Sequence, residues 1–303
     1  SIADNILTQY PISRYAQAYK PGSNIQRNAQ PHIGKKKILK LDIEGFFDHI
    51  HYSQVKDIVF YEEKFSEPIR ILLTMLCYYK ESLPQGAPTS PAITNIILYE
   101  FDELIGQWCR ERGIAYTRYC DDMTFSGDFD PAEVIRFIRL ELKKMGFLLN
   151  EQKTRIQCPG QQQTVTGIVV NEKLSIPADY RRKLRQELYY CRKFGILEHM
   201  QKIGLEIPGD TYRMQLLGKV NYVLTFEEIH AILKGMNIEL GAGNVHPVDC
   251  ASCRSAHGFA EAGGVTGAVK QFVGDKLDFT SIQIAGRNKK NVALLKAYGK
   301  TGK

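Results

Sequence analysis

The chain has 303 residues, of which 44% are hydrophobic and 24% are charged, a composition typical of a globular protein and unlike that of a disordered one. Its 40 lysines and arginines exceed its 33 acidic residues, and the net charge of +7 suits a polyanionic partner such as nucleic acid without requiring one. The seven cysteines follow no disulfide framework, so we expect reduced thiols in a cytoplasmic protein. No apolar run reaches the roughly 18 residues of a membrane helix, and the polar first residues are unlike a signal peptide, which excludes the secreted and membrane classes.

Strand-like and helix-like patterns alternate over the first 171 residues or so. In order, they predict a strand at 36–43, an apolar helix at 67–78, a long helix at 91–112, two short strands around a tight turn at 116–127, and a helix at 130–146. Strands with helices on one face are typical of an α+β layer.

The C-terminal part of the chain has a different character. Residues 177–240 are mostly helical in pattern, and residues 241–303 are rich in small residues, with basic residues gathered at the end. A like-charged end is either a solvated tail or a nucleic-acid contact. The first helix after residue 177 carries six basic residues: Arg181, Arg182, Lys183, Arg185, Arg192 and Lys193.

Two adjacent carboxylates, Asp121 and Asp122, fall in the predicted hairpin turn. Like charges this close repel each other, and a divalent cation bound between them would remove that cost. The alternative is an ordinary surface turn, because Asp is a common turn residue. Apolar neighbours, Tyr119, Met123 and Phe125, favour a buried hairpin instead.

Asp42 supplies a third carboxylate at the end of the strand-like run 36–43. In proteins that combine helices with a β-sheet, active-site residues often lie at the ends of strands. Three carboxylates on neighbouring strand ends can hold two Mg²⁺ ions about 4 Å apart, an arrangement that drives in-line phosphoryl transfer. The alternative is that Asp42 caps a helix that begins near Glu44.

Five ordered motifs carry a resemblance to a known family. Residues 42–47 (DIEGFF), 83–91 (LPQGAPTSP) and 119–122 (YCDD) resemble reverse-transcriptase palm motifs in order and spacing, most closely those of the bacterial group. Residues 28–32 (NAQPH) match the NAxxH element of the retron type, and residues 165–167 (VTG) match its VTG triplet. Five motifs in order are specific where one alone would be weak.

The resemblance covers about residues 15–240 and implies an α+β fold, the right-hand polymerase. In that arrangement residues 1–35 form partial fingers, 36–177 the palm with finger elements, 178–240 a helical thumb, and 241–303 an accessory extension of unknown role. Such enzymes usually carry an upstream arginine-containing finger strand, for which this sequence has no counterpart.

The resemblance also assigns roles to residues. Asp42, Asp121, Asp122 and the Ile43 carbonyl would be metal ligands. Phe47 would be the steric gate against a ribose 2′-hydroxyl, although either Phe46 or Phe47 could instead be plain core. Gln85 and Gly86 would line the nucleotide pocket, or belong simply to a Pro-rich loop.

Three further assignments complete the implied site. Lys153 resembles the palm lysine proposed to protonate pyrophosphate, against the default of a surface lysine. Asp48 is expected to face solvent or a cap and not to recognise ribose as in RNA-dependent RNA polymerases. Thumb residues Arg181, Arg182, Arg185 and Lys193 would grip backbone phosphates, against the alternative of a solvated basic face.

The implied function is RNA-directed DNA synthesis with two Mg²⁺ ions. A retron-type enzyme would use deoxynucleoside triphosphates (dNTPs) and a cognate structured non-coding RNA as primer and template. It would make single-stranded DNA joined to that RNA and act in phage defence with an effector protein. Two alternatives remain: a group II intron-like or other bacterial reverse transcriptase, and a non-catalytic RNA-binding scaffold on the same fold.

The C-terminal extension holds a separate candidate site. His246, Cys250, Cys253 and His257 lie within twelve residues, and Cys-x-x-Cys with flanking histidines suggests Zn²⁺. Four ligands this close leave little chain to wrap a tetrahedral ion, which favours free cysteines in a loop.

Overall fold

The computed structural model describes residues 1–226 and the backbone of two strands, 281–287 and 292–298. The chain divides into two compact units, Ser1–Ser175 and Ile176–Lys303. The finer division into fingers, palm, thumb and extension stays a prediction. The four candidate zinc ligands, His246, Cys250, Cys253 and His257, lie outside the described residues.

The first unit is built on a four-stranded antiparallel sheet in the order β2-β3-β1-β4. The strands are β1 (Lys37–Asp42), β2 (Ala115–Tyr119), β3 (Asp122–Gly127) and β4 (Arg155–Gln157). The predicted strand at 36–43 and the predicted hairpin at 116–127 are therefore both confirmed. A shorter hairpin follows, formed by β5 (Thr164–Val165) and β6 (Ile168–Val169).

Two helices of the first unit agree closely with the predicted ones: α4 at 67–77 and α7 at 131–144. A side-chain oxygen of Asp130 caps α7 at its start. In chain order the helices of the first unit are α1 (Ile2–Asn5), α2 (Ile25–Ala29), α3 (Tyr52–Gln54), α4 (Glu67–Cys77), α5 (Ser90–Ile97), α6 (Tyr99–Glu111) and α7 (Pro131–Lys144). Short 3₁₀ turns at Leu7–Gln9 and Gln30–His32 and a π turn at Val55–Val59 complete them.

The prediction of one long helix at 91–112 was wrong, because this segment forms two helices, α5 and α6, that break at Leu98. Leu98 has φ −87° and ψ 6°, which is outside the helical region, and its side chain is fully buried. Each helix buries its own apolar residues, so the break lets two short helices, and not one long one, cover the core.

The sheet has one apolar face and one polar face, as alternation along a strand requires. Leu39 pairs with Phe125 and Leu41 with Met123, and all four side chains are buried in the main core. The intervening pairs are polar: Lys40 with Thr124 and Asp42 with Asp122. The chain register therefore delivers a row of polar side chains to the face opposite the core.

His32 anchors the turn after α2 to the polar face of the sheet. Its two ring nitrogens lie 2.6 Å from the Ser126 hydroxyl and 2.8 Å from the Thr117 hydroxyl. Burial lowers the pKa of His32 to about 3, so the ring is neutral near pH 7. The two motifs NAQPH (28–32) and VTG (165–167) are also in contact, since Asn28 Nδ2 lies 3.4 Å from Thr166 Oγ1 in the turn between β5 and β6.

The second unit begins with three helices: α8 (Ala178–Phe194), α9 (Ile196–Lys202) and α10 (Gly209–Leu224). Leu184, Leu188 and Cys191 are buried along α8 and give this helix an apolar face. Strands β7 (Ser281–Arg287) and β8 (Val292–Tyr298) pair as an antiparallel hairpin. Across the described residues, no helix is long and apolar enough to cross a membrane, and the five described cysteines are free thiols.

The burial of neutral His32 predicts a pH-dependent stability. The unfolded chain takes up a proton on this ring below its ordinary pKa of about 6.5, whereas the folded chain does so only near pH 3. The free energy of unfolding therefore falls as the pH drops from about 6.5 towards 3. Between pH 7 and pH 5 we expect His32 to account for a loss of about 2 kcal/mol, measured by urea unfolding.

The test compares slopes and not absolute stabilities. His32→Gln should flatten the dependence of unfolding free energy on pH over this range, because glutamine does not titrate. Equal pH slopes for wild type and His32→Gln would contradict the assignment of a neutral buried ring.

Candidate active site

A two-residue turn joins β2 to β3 and carries the first of the paired carboxylates. Tyr119 and Asp122 face each other as the last strand pair, which leaves Cys120 and Asp121 to turn the chain. Cys120 has φ +62°, a left-handed conformation that costs a non-glycine residue roughly 1–2 kcal/mol. The turn is also tied to the residue that follows β1, because the Ile43 amide donates to the Asp121 carbonyl over 3.2 Å.

The third carboxylate lies directly across the sheet. Asp42 is the register partner of Asp122, and side chains of directly opposed residues in antiparallel strands lie about 5 Å apart at Cβ on one face. Asp42 is 5% exposed. The backbone thus gathers Asp42, Asp121 and Asp122 at one end of the sheet.

The alternative role for Asp42 as a helix cap is wrong. No helix begins near Glu44 in the described chain; residues 44–49 form turns, with Gly45 at φ +52°. The Asp42 carbonyl accepts from the Asn150 amide over 2.8 Å. The Asp42 carboxylate contacts the Lys153 ammonium and not a helix N-terminus.

Burial and like charges act together on Asp122. Burial is the larger cause that raises the pKa of this carboxyl, and the neighbouring charges of Asp121 and Asp42 raise it further. Lys40 and Lys153 act in the opposite direction. The sheet end is thus a place where added positive charge is favourable, as expected for a cation site.

Lys153 supplies such a charge. Its ammonium nitrogen lies 2.9 Å and 3.1 Å from the two carboxylate oxygens of Asp42. The Lys153 side chain is 61% exposed while that of Asp42 is 6% exposed, so the lysine reaches in from solvent. The hydrogen bond to Asp42 raises the pKa of Lys153, which keeps the lysine cationic.

The three carboxylates are suitable ligands for a divalent cation, since Mg²⁺ prefers carboxylate oxygens. The backbone also places all three residues at the same end of the sheet. The side chains themselves are not gathered around one point: among residues 1–226, no group of three His, Cys, Asp or Glu side chains is close enough to hold a metal ion. The Lys153 ammonium holds the Asp42 carboxylate. A bound cation at this end would compete with that ion pair.

The aromatic pair after β1 divides between core and surface. Phe46 is 4% exposed and packs against Phe147 at 5.8 Å between ring centroids, so it belongs to the core. Phe47 is half-buried. The Leu83 amide donates to the Phe47 carbonyl over 3.2 Å, which brings the start of the loop with Gln85 beside Phe47.

The remaining predicted residues lie in open positions. Gln85 and Gly86 are exposed, and Gly86 has φ +89°, so a side chain there would be strained although no atom crowds it. Asp48 is exposed, as expected.

The basic residues of α8 belong to the second unit. Arg182 pairs with Asp179 over 2.9 Å, and Lys193 lies 5.2 Å above the Phe194 ring. Arg181 and Arg185 are half-buried on the same helix. The helix is a basic surface of the kind that phosphates bind, with its apolar side turned into the unit's own core.

Sequence reasoning missed one residue of this site, Arg118. Its side chain is fully buried under the turn, paired with the fully buried Asp102. Its signal was present in the sequence, since an arginine in the middle of a strand between Thr117 and Tyr119 must be either exposed or paired.

Comparison with known protein families identifies the family of the chain. The model described as "Reverse transcriptase (RNA-dependent DNA polymerase)" matches residues 2–184, more than half of the chain. The chain belongs to the reverse transcriptase family. This match includes the sheet, the YCDD turn and the loop with Gln85 and Gly86.

Its curated relatives include several retron reverse transcriptases, which confirms the retron-type resemblance. The chain is 34% identical to the retron Ec86 reverse transcriptase of Escherichia coli over 203 residues, 65% of this chain and 63% of the relative. It is 33% identical to the retron Mx65 reverse transcriptase of Myxococcus xanthus over 204 residues, 61% of this chain and 48% of the relative. The chain therefore spans between about half and just under two thirds of these relatives.

Among solved structures, telomerases are similar at low identity. Telomerase from Candida albicans in complex with a TWJ fragment of telomeric RNA gives a TM-score of 0.47 at 12% identity, covering 92% of this chain and 54% of that one. Apo telomerase from Candida tropicalis gives a TM-score of 0.39 at 13% identity, covering 78% and 53%. At these scores no residue correspondence follows.

A second family model, described as "Iron only hydrogenase large subunit, C-terminal domain", matches residues 206–300, under a third of the chain. Most of these residues lie outside the described part. The matched segment contains two cysteines, Cys250 and Cys253, whereas an iron–sulfur cluster takes four thiolates. The match gives no argument for iron chemistry in this chain.

Proposed function

We propose that this chain is an RNA-directed DNA polymerase of the retron type. The observation that carries the proposal is the register that sets Asp42 opposite Asp122 and beside Asp121, in a chain that belongs to the reverse transcriptase family. Asp42, Asp121, Asp122 and the Ile43 carbonyl would hold two Mg²⁺ ions. When bound, the ions lower the pKa of the attacking hydroxyl and neutralise the triphosphate.

The chain's own residues then bind and orient the nucleotide. Phe47 would exclude a ribose 2′-hydroxyl by bulk, which its half-buried position beside the sheet end supports. Gln85 and Gly86 would line the pocket, supported by the hydrogen bond that joins their loop to Phe47. The Lys153 ammonium donates a hydrogen bond to Asp42 and therefore lies beside the carboxylates, where it would protonate the departing pyrophosphate.

The proposed partners are taken by analogy with the relatives. Because the curated relatives are retron reverse transcriptases, we propose a cognate structured non-coding RNA, its single-stranded DNA product and dNTPs as partners, and a role in phage defence with an effector protein. Arg181, Arg182, Arg185 and Lys193 of α8 would contact backbone phosphates. A group II intron-like or other bacterial reverse transcriptase is the alternative within the family.

One observation favours a second function, a non-catalytic RNA-binding scaffold. The carboxylate of Asp42 is held by Lys153, and a permanent ion pair would leave the sheet end without a free third carboxylate. The two functions differ in whether cations displace Lys153. A lysine that leaves Asp42 when Mg²⁺ is added supports the polymerase, and a lysine that stays supports the scaffold.

Removing two carboxylate charges tests the chemistry. Asp121→Asn with Asp122→Asn should abolish primer extension on an RNA template, because neutral amides are poor ligands for Mg²⁺. RNA binding, measured separately, should remain. Asp48→Asn with Glu63→Gln removes two exposed carboxylates elsewhere and should leave extension unchanged. Extension by the Asp121/Asp122 variant at the wild-type rate would end the two-metal proposal.

The proposed gate predicts a change in sugar selection. Phe47→Val should admit ribonucleotides because the smaller side chain makes room for the 2′-hydroxyl. The ratio of kcat/KM for a dNTP to that for the matching ribonucleotide should fall by about tenfold or more. An unchanged ratio would mean that Phe47 is not the gate.

The basic face of α8 predicts a salt dependence. Replacing Arg181, Arg182, Arg185 and Lys193 with Gln should weaken binding of RNA regardless of its sequence. It should also reduce the slope of log affinity against log salt by two or more, at about 0.7 to 0.9 per lost phosphate contact.

The matched control removes the same charge elsewhere. Lysines exposed on other surfaces are replaced with Gln: Lys64, Lys80, Lys143 and Lys173. This variant should keep the wild-type slope, because the slope counts ions released at the contact and not the net charge of the protein. Equal slopes for wild type and the α8 variant would remove α8 from the nucleic-acid path.

A further inference from the structure

Arg118 is fully buried, and each of its three guanidinium nitrogens donates to at least one acceptor. It is paired with Asp102 of α6, whose side chain is also 0% exposed. The Nε atom lies 2.9 Å and 3.1 Å from the two Asp102 oxygens, and Nη2 lies 2.6 Å from Oδ2. Nη2 also lies 3.2 Å from Asn95 Oδ1 of α5.

The remaining arm of the guanidinium reaches the turn that carries the carboxylates. Arg118 Nη1 donates to the carbonyl of Cys120 over 2.8 Å. This carbonyl belongs to the peptide bond between Cys120 and Asp121. The next carbonyl, of Asp121, accepts from the Ile43 amide over 3.2 Å. Both peptide planes that flank Asp121 are thus held, one by the buried Arg118 and one by the residue that follows β1.

The hydrogen bond from Arg118 to the Cys120 carbonyl restrains a strained residue, because Cys120 is in the left-handed region at φ +62°. A strained residue persists only when its surroundings hold it. A charge-assisted hydrogen bond to its carbonyl is about twice as strong as a neutral one and fixes the plane of the peptide. Without it, the turn could relax to a conformation that points the Asp121 side chain elsewhere.

Stability alone does not explain a buried ion pair at this position. Taking two charges out of water costs several kcal/mol, and apolar residues of similar volume are often equally stable or more so. An apolar pair would fill the same space between α6 and the sheet. It could not hold the Cys120 carbonyl.

We propose that Arg118, oriented by Asp102 and Asn95, is a positioning residue that holds the Cys120–Asp121 peptide in its left-handed turn and so aims Asp121 and Asp122 for cation binding. The last step, cation binding, rests on the proposed function. The holding of the turn does not, and it can be measured without any cation.

The chain offers a matched control within the same network. The Tyr116 hydroxyl donates to Asp102 Oδ1 over 2.9 Å and is buried with it, but Tyr116 makes no hydrogen bond to the turn. Tyr116→Phe therefore removes one buried hydrogen bond to Asp102 and leaves the bond from Arg118 to Cys120 in place. A merely structural role for the network predicts similar effects for changes at Tyr116 and at Arg118.

The test uses two variants of the pair. Arg118→Lys keeps the charge for Asp102 but lacks the planar fork that reaches two partners at once. Arg118→Met with Asp102→Leu replaces the pair by apolar groups and leaves no unpaired charge. If the double variant does not fold, Arg118→Lys decides alone.

Three readouts are compared on the full chain. Amide hydrogen exchange over residues 119–123 without metal should become faster in both Arg118 variants and stay as in wild type for Tyr116→Phe. Mn²⁺ binding, followed by electron paramagnetic resonance, should weaken by about tenfold or more in the Arg118 variants. Primer extension should lose about 100-fold in kcat, the scale of an ångström-sized misplacement.

The outcomes separate this inference from the proposed function. Wild-type exchange and Mn²⁺ affinity in a folded Arg118→Lys variant would overturn the positioning role. A second outcome is that exchange becomes faster in Arg118→Lys, while the wild-type chain itself neither binds Mn²⁺ nor extends primers. That result would support the holding of the turn by Arg118. It would overturn both the role in cation binding and the polymerase proposal.

Discussion

The register between β1 and β3 is the constraint on which the candidate site depends. It places Asp42 opposite Asp122 and, two pairs along, Lys40 opposite Thr124, while Leu41 and Met123 face the core between them. Because side chains alternate across a strand, a slip of one residue would carry the carboxylates into the core and the leucine out of it. The burial of the apolar set therefore fixes the position of the polar set, and the core selects the geometry of the site.

That geometry is electrostatically unfavourable in isolation, and the surrounding chain compensates for it. The cost shows at Asp122, where burial and the like charges of Asp121 and Asp42 raise the pKa of the carboxyl. Two features offset it: Lys153 pairs with Asp42, and buried Arg118 holds the strained turn by the Cys120 carbonyl. A site that gathers negative charge in this way suits a cation and, through it, a phosphate-bearing substrate.

The sequence predicted the local elements well and the long-range contacts poorly. The strand at 36–43, the hairpin with Asp121 and Asp122, and the helix from Asp130 follow from alternation and capping, which are local signals. The break at Leu98 was missed, because an apolar residue continues a helical pattern until tertiary packing interrupts it. The pairing of Arg118 with Asp102 and of Lys153 with Asp42 spans 16 and 111 residues, and no periodicity encodes a contact between side chains so far apart.

The most direct test of the site is to locate a bound divalent cation on the chain. Fe²⁺ can replace Mg²⁺ at carboxylate sites, and with ascorbate and peroxide it produces hydroxyl radicals that cut the nearest backbone. The account predicts two cuts from one ion site, near Asp42 and near Asp121, that disappear together when excess Mg²⁺ is added. Cutting at neither position, or at only one of them, would contradict the convergence of the carboxylates on a shared cation site.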